Sequence, residues 1–172
     1  STTAAFALSQ FRTQVVASDF SLDLTMTGTQ PPILQGAQGL SRKGPLPEQA
    51  SYYYSEPQLA VSGALSIQGK RMAVSAEPAP SNRAWMDHEW SESLMHPEAV
   101  GWDWIGMNLE NGGALTVFRL RRADGSAVWA GGSYREKATD APQVFAADQV
   151  QFTSTRLWTS ADSGAKYPVQ WR

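Results

Sequence analysis

The sequence predicts an all-β protein, an antiparallel barrel or sandwich with little helix. Apolar and polar residues alternate over short segments, which is typical of strands with one buried face. Turn signals separate these segments, so that predicted strands recur about every eight to twelve residues. No window carries a long apolar stripe with helical spacing. The best helical candidate, residues 92–95, is cut off by Pro97.

The predicted strands can be justified in chain order. Residues 20–26 alternate Phe, Leu and Met with Ser, Asp and Thr, which indicates a half-buried strand. Gln68-Gly69 joins two segments as a hairpin, and Asn111-Gly112 supplies the positive φ angles of a second tight turn. The full set of predicted strands is 20–26, 59–67, 71–76, 102–109, 114–121, 127–134, 150–158 and 166–171.

Three segments are predicted to be irregular. Residues 29–49 contain four prolines and three glycines, which suit an ordered loop better than a central strand. Residues 77–82 resemble a linker or a hairpin tip, and residues 138–147 a small, polar crossing segment.

Composition excludes several function classes. The 172 residues suffice to bury a core without disulfides or metals. The absence of Cys removes disulfides, thiolate zinc sites and Cys nucleophiles. With 14 basic and 16 acidic residues, the net charge of −2 argues against a nucleic-acid partner, which usually requires a basic excess. No apolar run is long enough to span a bilayer as a helix.

The segment 85–90, Trp-Met-Asp-His-Glu-Trp, carries the most informative motif. In a strand, Trp85, Asp87 and Glu89 point to one side and the residues between them to the other. The two carboxylates would then lie roughly 6–7 Å apart at their Cα atoms. Between indole rings, a carboxyl group would be desolvated and could serve as a proton donor. The alternative is structural, with both carboxylates accepting hydrogen bonds from Arg83, Arg119 or the backbone.

Two further motifs are aromatic. Trp102 and Trp104 share one strand face, where they pack in a core or line a cavity, and Gly101 and Gly106 leave room beside the rings. In residues 52–54, Tyr52 and Tyr54 point to one side and Tyr53 to the other. This run fits either a pocket for a large apolar molecule or a barrel strand with its hydroxyl groups in solvent.

Other chemistry has weaker support. His88 and His96 are the only histidines, so a metal site would depend on carboxylates, and we predict neither a metal nor a cofactor. Arg119, Arg121 and Arg122 could form an anion site, although arginines that alternate on a strand usually face solvent. No hydrolase elbow, phosphate-binding loop or zinc-protease motif is present.

An ordered set of motifs carries a family resemblance. They include Gln-Pro-Pro at 30–32, Leu-Gln-Gly at 34–36, and the tyrosine run, and they continue to Tyr-Pro-Val-Gln-Trp near the end. The full set lies at residues 30–36, 39–44, 52–54, 85–90, 101–104, 118–121 and 167–171. Together they resemble the AttH-like family of predicted secreted hydrolases. Its relatives are the carotenoid hydratases of the CrtC type and the fungal lipocalin-like cyclases.

The resemblance implies a domain organisation. Members have two lipocalin-like β domains and are roughly twice as long as this chain, a size consistent with two cores. Residues 1–90 would be the later strands of the first domain, and residues 91–172 the early strands of the second. The chain would match the central half of a full-length member. It is then a fragment, or another chain supplies the missing strands, or the strands close on themselves.

Unpaired strand edges need covering, so we expect a homo-oligomer or a partner chain that completes the β sheet. Residues 1–5 lack the basic and apolar regions of a signal peptide. A mature secreted chain would start in this way, as would a cytosolic one. We expect a periplasmic or secreted location.

The resemblance also implies an aromatic-lined cavity for a lipophilic small molecule. The first hypothesis is binding alone, and the second is a hydratase, isomerase or cyclase. In the second, Asp87 protonates an alkene, Glu89 or His88 positions water, and nearby aromatic faces stabilise the cation. A structural or assembly domain is the third. The expected ligand-binding residues are Tyr52, Tyr53, Tyr54, Trp85, Trp90, Trp102 and Trp104, and the cation would be stabilised by Trp85, Trp90 and Tyr54.

Overall fold

A computed structural model describes residues 8–78, 81–93 and 95–172. In this part of the chain every strand pairing is antiparallel, and the only helix is a single 3₁₀ turn, Ala147–Gln149. The predicted all-β class with little helix is confirmed. The strands are β1 (Gln10–Val16), β2 (Phe20–Thr27), β3 (Ile33–Leu34), β4 (Leu40–Arg42), β5 (Ala50–Ile67), β6 (Lys70–Val74), β7 (Arg83–Trp90), β8 (Gly101–Asn108), β9 (Ala114–Arg121), β10 (Ala127–Arg135), β11 (Gln143–Phe145), β12 (Ser154–Thr159) and β13 (Lys166–Trp171).

The first sheet is built around β5, which is 18 residues long. One edge of β5 pairs with β2, β3 and β4, and β1 extends this side by pairing with β2. The other edge pairs with β6 and β7. Because β5 is central, β7 pairs with one edge of the tyrosine run (residues 52–54), and the short strands β3 and β4 pair with the other edge.

An irregularity within β5 separates its two halves. Glu56 pairs with Met86 and Leu59 with Ala84, so β5 has one more residue than β7 over this stretch. The extra length falls at Pro57 and Gln58, and Gln58 has a φ of 58°, in the left-handed region. Such a bulge bends a strand and re-aims its side chains. The tyrosine run and the segment from residue 59 therefore form one bent strand, whereas the sequence pattern predicted two features.

The second half of the chain forms two smaller sheets. Four strands lie in the order β11-β10-β9-β8, and β12 pairs with β13. The first sheet ends with β7 at Trp90, and the second begins with β8 at Gly101. The two-domain assignment on either side of residue 90 stays a prediction.

The first and second sheets face each other across a partly polar core. Apolar residues such as Ile33, Leu59, Phe118 and Leu120 are buried, and so are many uncharged polar side chains. A buried polar group is costly unless it is hydrogen-bonded, so Gln30, Gln35 and Gln58, which bond to residues of the second half of the chain, make the contacts between the sheets specific. The buried uncharged polar residues are Gln30, Gln35, Ser41, Ser51, Ser55, Gln58, Thr116 and Ser133.

Several predicted boundaries need correction. Strand β12 begins at Ser154, not at residue 150, because the 3₁₀ turn precedes it. The irregular segment 29–49 contains the short strands β3 and β4, and β1 was not predicted. Residues 79–80, in the predicted linker, and Leu94, in the helical candidate, lie outside the described residues.

Candidate functional site

Strand β7 presents the acidic motif to the second sheet. In the pairing with β5, Ser55 lies beside Asp87 and Tyr53 beside Glu89, and laterally paired residues share a face. The ring of Trp85, on the same face, lies 6.3 Å from that of Trp104 on β8. The predicted alternation along residues 85–90 is confirmed, and both acidic residues face the space between the sheets.

A half-open cleft of about 320 Å³ lies on this face. Its volume is at the lower end of the range for small-molecule sites. Apolar and aromatic side chains form most of the wall, whereas the polar groups cluster near Glu89. The apolar lining comprises Trp90, Met95, Trp102, Trp104, Phe118 and Leu120, and the main polar groups are Lys43, Ser51, Tyr53, Glu89 and His96.

Tyr53 lies at the base of the cleft and is 3% exposed. Its hydroxyl group accepts a hydrogen bond of 3.1 Å from the indole N–H of Trp104. Burial, with a smaller contribution from the negative charge of Asp87, raises the pKa of Tyr53 to about 12. Tyr53 is therefore a neutral hydroxyl group over the physiological range.

Lys43 is the cation of the site. Its Nζ lies 2.8 Å from a carboxylate oxygen of Glu89 and 3.9 Å and 4.7 Å from the ring centroids of Phe118 and Tyr53. Burial lowers the pKa of Lys43, and the neighbouring charge of Glu89 opposes this effect. Two ring faces and a carboxylate thus hold the ammonium group in place.

Glu89 and Asp87 have different partners. The Oε1 atom of Glu89 accepts hydrogen bonds from Lys43 and from the hydroxyl group of Ser51, at 2.5 Å. The Oδ1 atom of Asp87 accepts from the hydroxyl group of Ser55 at 2.5 Å and from the indole N–H of Trp85 at 2.8 Å. Glu89 lines the cleft, whereas Asp87 is solvent-exposed and lies outside the cleft lining.

A hydrogen-bond chain connects Asp87 to the second sheet. Ser55, which donates to Asp87, accepts from the amide of Gln35 at 2.9 Å, and Gln35 accepts from Ser133 on β10 at 2.8 Å. Gln35, Ser55 and Ser133 are each at most 1% exposed. The Asp87 carboxylate is therefore oriented by side chains from three separate segments.

Gly106 makes room for two of the predicted ligand-binding indoles. A Cβ atom at this position would lie 2.6 Å from the Trp104 ring and 3.0 Å from the Trp85 ring. Both distances are shorter than a normal contact, so a larger side chain would displace the rings. The space that the sequence predicted beside these rings is occupied by the rings themselves.

The predicted site residues of the first sheet divide between its two faces. Tyr53, Trp85, Asp87 and Glu89 belong to the face toward the second sheet, and Trp102 and Trp104 lie across from them on β8. Tyr52, Tyr54, His88 and Trp90 contact one another along the opposite face, with ring centroids 5.1–5.5 Å apart. Trp90, at the end of β7, also lines the cleft. His88 therefore points away from Asp87 and Glu89.

The three arginines on and just after β9 form ion pairs outside the cleft. Arg119 donates to Asp103 from Nε and Nη2, and Arg121 lies 3.3 Å from the same carboxylate oxygen. Arg122 is paired with Glu98. These side chains are thus engaged with acidic partners. The described residues contain no group of three His, Asp or Glu side chains arranged to hold a metal ion.

Sequence reasoning missed several residues of the site. Lys43 and Phe118 belong to quoted family motifs, but nothing in their local pattern indicates that they meet Glu89. Gln35 and Ser133 are 98 residues apart, and no local pattern links them. The alternation of side chains along β9 does predict that Phe118 lies beside Trp104 and Leu120 beside Trp102, because the tight hairpin between β8 and β9 fixes their register.

The fold and the paired sheets define a lipocalin-like β protein. The AttH-like family model matches residues 1–172, and the chain belongs to this family. Two solved structures are similar. A protein assigned as AttH from Nitrosomonas europaea is 45% identical with a TM-score of 0.85, and the match covers 95% of this chain and 49% of that one.

The second similar structure is kievitone hydratase from Nectria haematococca, with 19% identity and a TM-score of 0.73. The match covers 99% of this chain and 52% of the hydratase, and this likeness concerns the fold alone. The chain thus spans about half the length of both structures. Comparison with curated proteins finds no match. None of the described helices is long and apolar enough to cross a membrane.

Proposed function

We propose that the cleft between the two sheets binds an apolar small molecule. The observation that carries this proposal is the composition of the wall, in which Trp102, Trp104 and Phe118 surround a space of about 320 Å³. Concave sites lined by aromatic side chains with a few fixed polar groups are typical of small-molecule binding. Trp102 is 63% exposed, so its ring offers apolar surface that a ligand would bury.

Nile red, a neutral dye that fluoresces in apolar surroundings, tests this proposal. We expect saturable binding that Trp102→Ala weakens about tenfold, because the ligand loses one aromatic face. Trp158→Ala is the matched control, since Trp158 is similarly exposed (54%) but lies on β12, outside the cleft. Equal binding by both variants, or no saturable binding by the wild type, would contradict the proposal.

A hydratase-type reaction at the same face is the second candidate function. It is favoured by the two carboxylates, Asp87 and Glu89, which lie on the same face of β7 as Trp85, with Tyr53 of β5 beside Glu89. Asp87 in its acid form would protonate an alkene carbon, so that its O–H bond breaks and a C–H bond forms. Water would then add to the cation, and Glu89, which is paired with Lys43, would accept the proton that the water loses.

The catalytic candidate is tested with geraniol as an alkene probe in ¹⁸O-labelled water. Mass spectrometry should detect addition of one labelled water, and Asp87→Asn and Glu89→Gln should each reduce the rate about 10²–10⁴-fold. His88→Ala is the control, because His88 lies on the opposite face. If Asp87→Asn retains full turnover, Asp87 is not the acid. If no labelled product forms with the wild-type protein, the proposal of alkene hydration fails for this probe class and binding alone is supported.

A further inference from the structure

The cleft contains one ion pair, and it lies among aromatic side chains. Lys43 and Glu89 meet at 2.8 Å, and their side chains are 20% and 42% exposed. Both line the cleft. Each charge therefore compensates the other at the wall that a bound molecule would contact.

Lys43 has little freedom to leave this pair. Its Nζ lies over the rings of Phe118 and Tyr53, and it donates a hydrogen bond of 3.2 Å to the hydroxyl group of Ser41. Moving the ammonium group toward a ligand would break these contacts together. Lys43 is accordingly a fixed charge rather than a mobile anchor.

Glu89 has one oxygen atom in use and one available. Oε1 accepts from both Lys43 and Ser51, whereas no side chain of the described residues donates to Oε2. An uncharged hydroxyl group on a ligand could donate to this oxygen while the rest of the molecule contacts the indoles. The carboxylate would thus fix the orientation of the ligand.

A charged ligand meets a different energy balance. An organic anion would lie beside the Glu89 carboxylate, whose side chain is more exposed than that of Lys43 (42% against 20%). The anion would lose its hydration and face a charge of its own sign. A neutral molecule pays neither cost.

We infer that the Lys43–Glu89 pair is the specificity determinant of the cleft, selecting an uncharged apolar molecule with a hydroxyl group and rejecting organic anions. This inference rests on the proposed binding function. It adds the chemical class of the ligand and assigns the selection to two named residues.

Displacement of Nile red by 2-naphthol and by 2-naphthoate tests the inference at pH 8. We expect the wild-type protein to prefer 2-naphthol. Glu89→Gln leaves Lys43 without its compensating charge, so the preference should shift about tenfold or more toward 2-naphthoate. Lys43→Met should shift it further toward 2-naphthol.

Lys70→Met serves as the control, because Lys70 is exposed at the start of β6, away from the cleft. It should leave the preference unchanged. A wild-type preference for 2-naphthoate, or an unchanged preference in Glu89→Gln, would overturn the inference while leaving the binding proposal in place. Failure of Nile red and both naphthyl compounds to bind would instead contradict the proposed function itself.

Discussion

Tyr53 joins the two sheets through a single hydroxyl group. It belongs to β5, accepts a hydrogen bond from Trp104 of β8, and carries the Lys43 ammonium group over its ring. Tyr53 is thus buried, hydrogen-bonded and in contact with a charged group. Its ionisation should therefore be linked to the stability of the fold.

The pH dependence of stability follows from the raised pKa of Tyr53. In the unfolded chain its phenol ionises near its ordinary pKa of 10.0, whereas the folded protein retains the proton up to about 12. Between these values the folded state binds more protons, so its stability falls as the pH rises. We expect the free energy of unfolding, measured by urea denaturation, to decline less steeply over this range in Tyr53→Phe.

Tyr167→Phe is the comparison for this measurement, since Tyr167 is half-exposed on β13. The Tyr167 variant should keep the wild-type slope. If Tyr53→Phe also keeps it, the buried phenol is not responsible for the alkaline loss of stability.

At the element scale, the bulge in β5 connects the first sheet to the β8–β9 hairpin. The backbone N–H of Gln58 donates to Asn108 at 2.7 Å, and its side-chain amide donates to the carbonyl groups of Leu109 and Gly113. Asn108 in turn donates to the carbonyl group of Ala84. One residue with a left-handed backbone thus fixes the hairpin against β5 and β7.

We expect Gln58→Ala to lower the free energy of unfolding by about 1–3 kcal/mol, because it removes two side-chain hydrogen bonds between β5 and the β8–β9 hairpin. Gln68→Ala is a matched control. Gln68 also has a positive φ, 49°, but it is exposed in the β5–β6 turn. Urea denaturation of both variants separates the loss of side-chain hydrogen bonds from any change in backbone strain. Equal losses would indicate that backbone strain, and not the side-chain hydrogen bonds, explains the result.

The sequence predicted those elements whose local pattern determines them. The alternation of residues 20–26 and the turn at Asn111-Gly112 lead directly to β2 and to the β8–β9 hairpin. The continuity of β5 was not predictable, since Pro57 normally ends a strand and here sits in a bulge. The face of Asp87 and Glu89 followed from strand periodicity. The contact of Glu89 with Lys43 and the link from Asp87 through Ser55 to Gln35 did not, because these depend on how distant loops pack.

At the scale of the whole molecule, the chain belongs to the AttH-like family and spans about half of the two solved structures it resembles. The cleft lies between its two main sheets. Tyr52 and Trp90 are about half exposed on the outer face of the first sheet. A homo-oligomer or partner chain that completes the sheet stays a prediction, as does a periplasmic or secreted location.

We propose that ligands bind between the sheets and not on the outer aromatic face. NMR of the ¹⁵N-labelled protein, with indole N–H signals assigned by single Trp→Phe variants, distinguishes these two locations. Addition of 2-naphthol should shift the indole signals of Trp102 and Trp104 and leave that of Trp158 unchanged. Unchanged signals of Trp102 and Trp104 at saturating 2-naphthol would show that the ligand does not bind between the sheets.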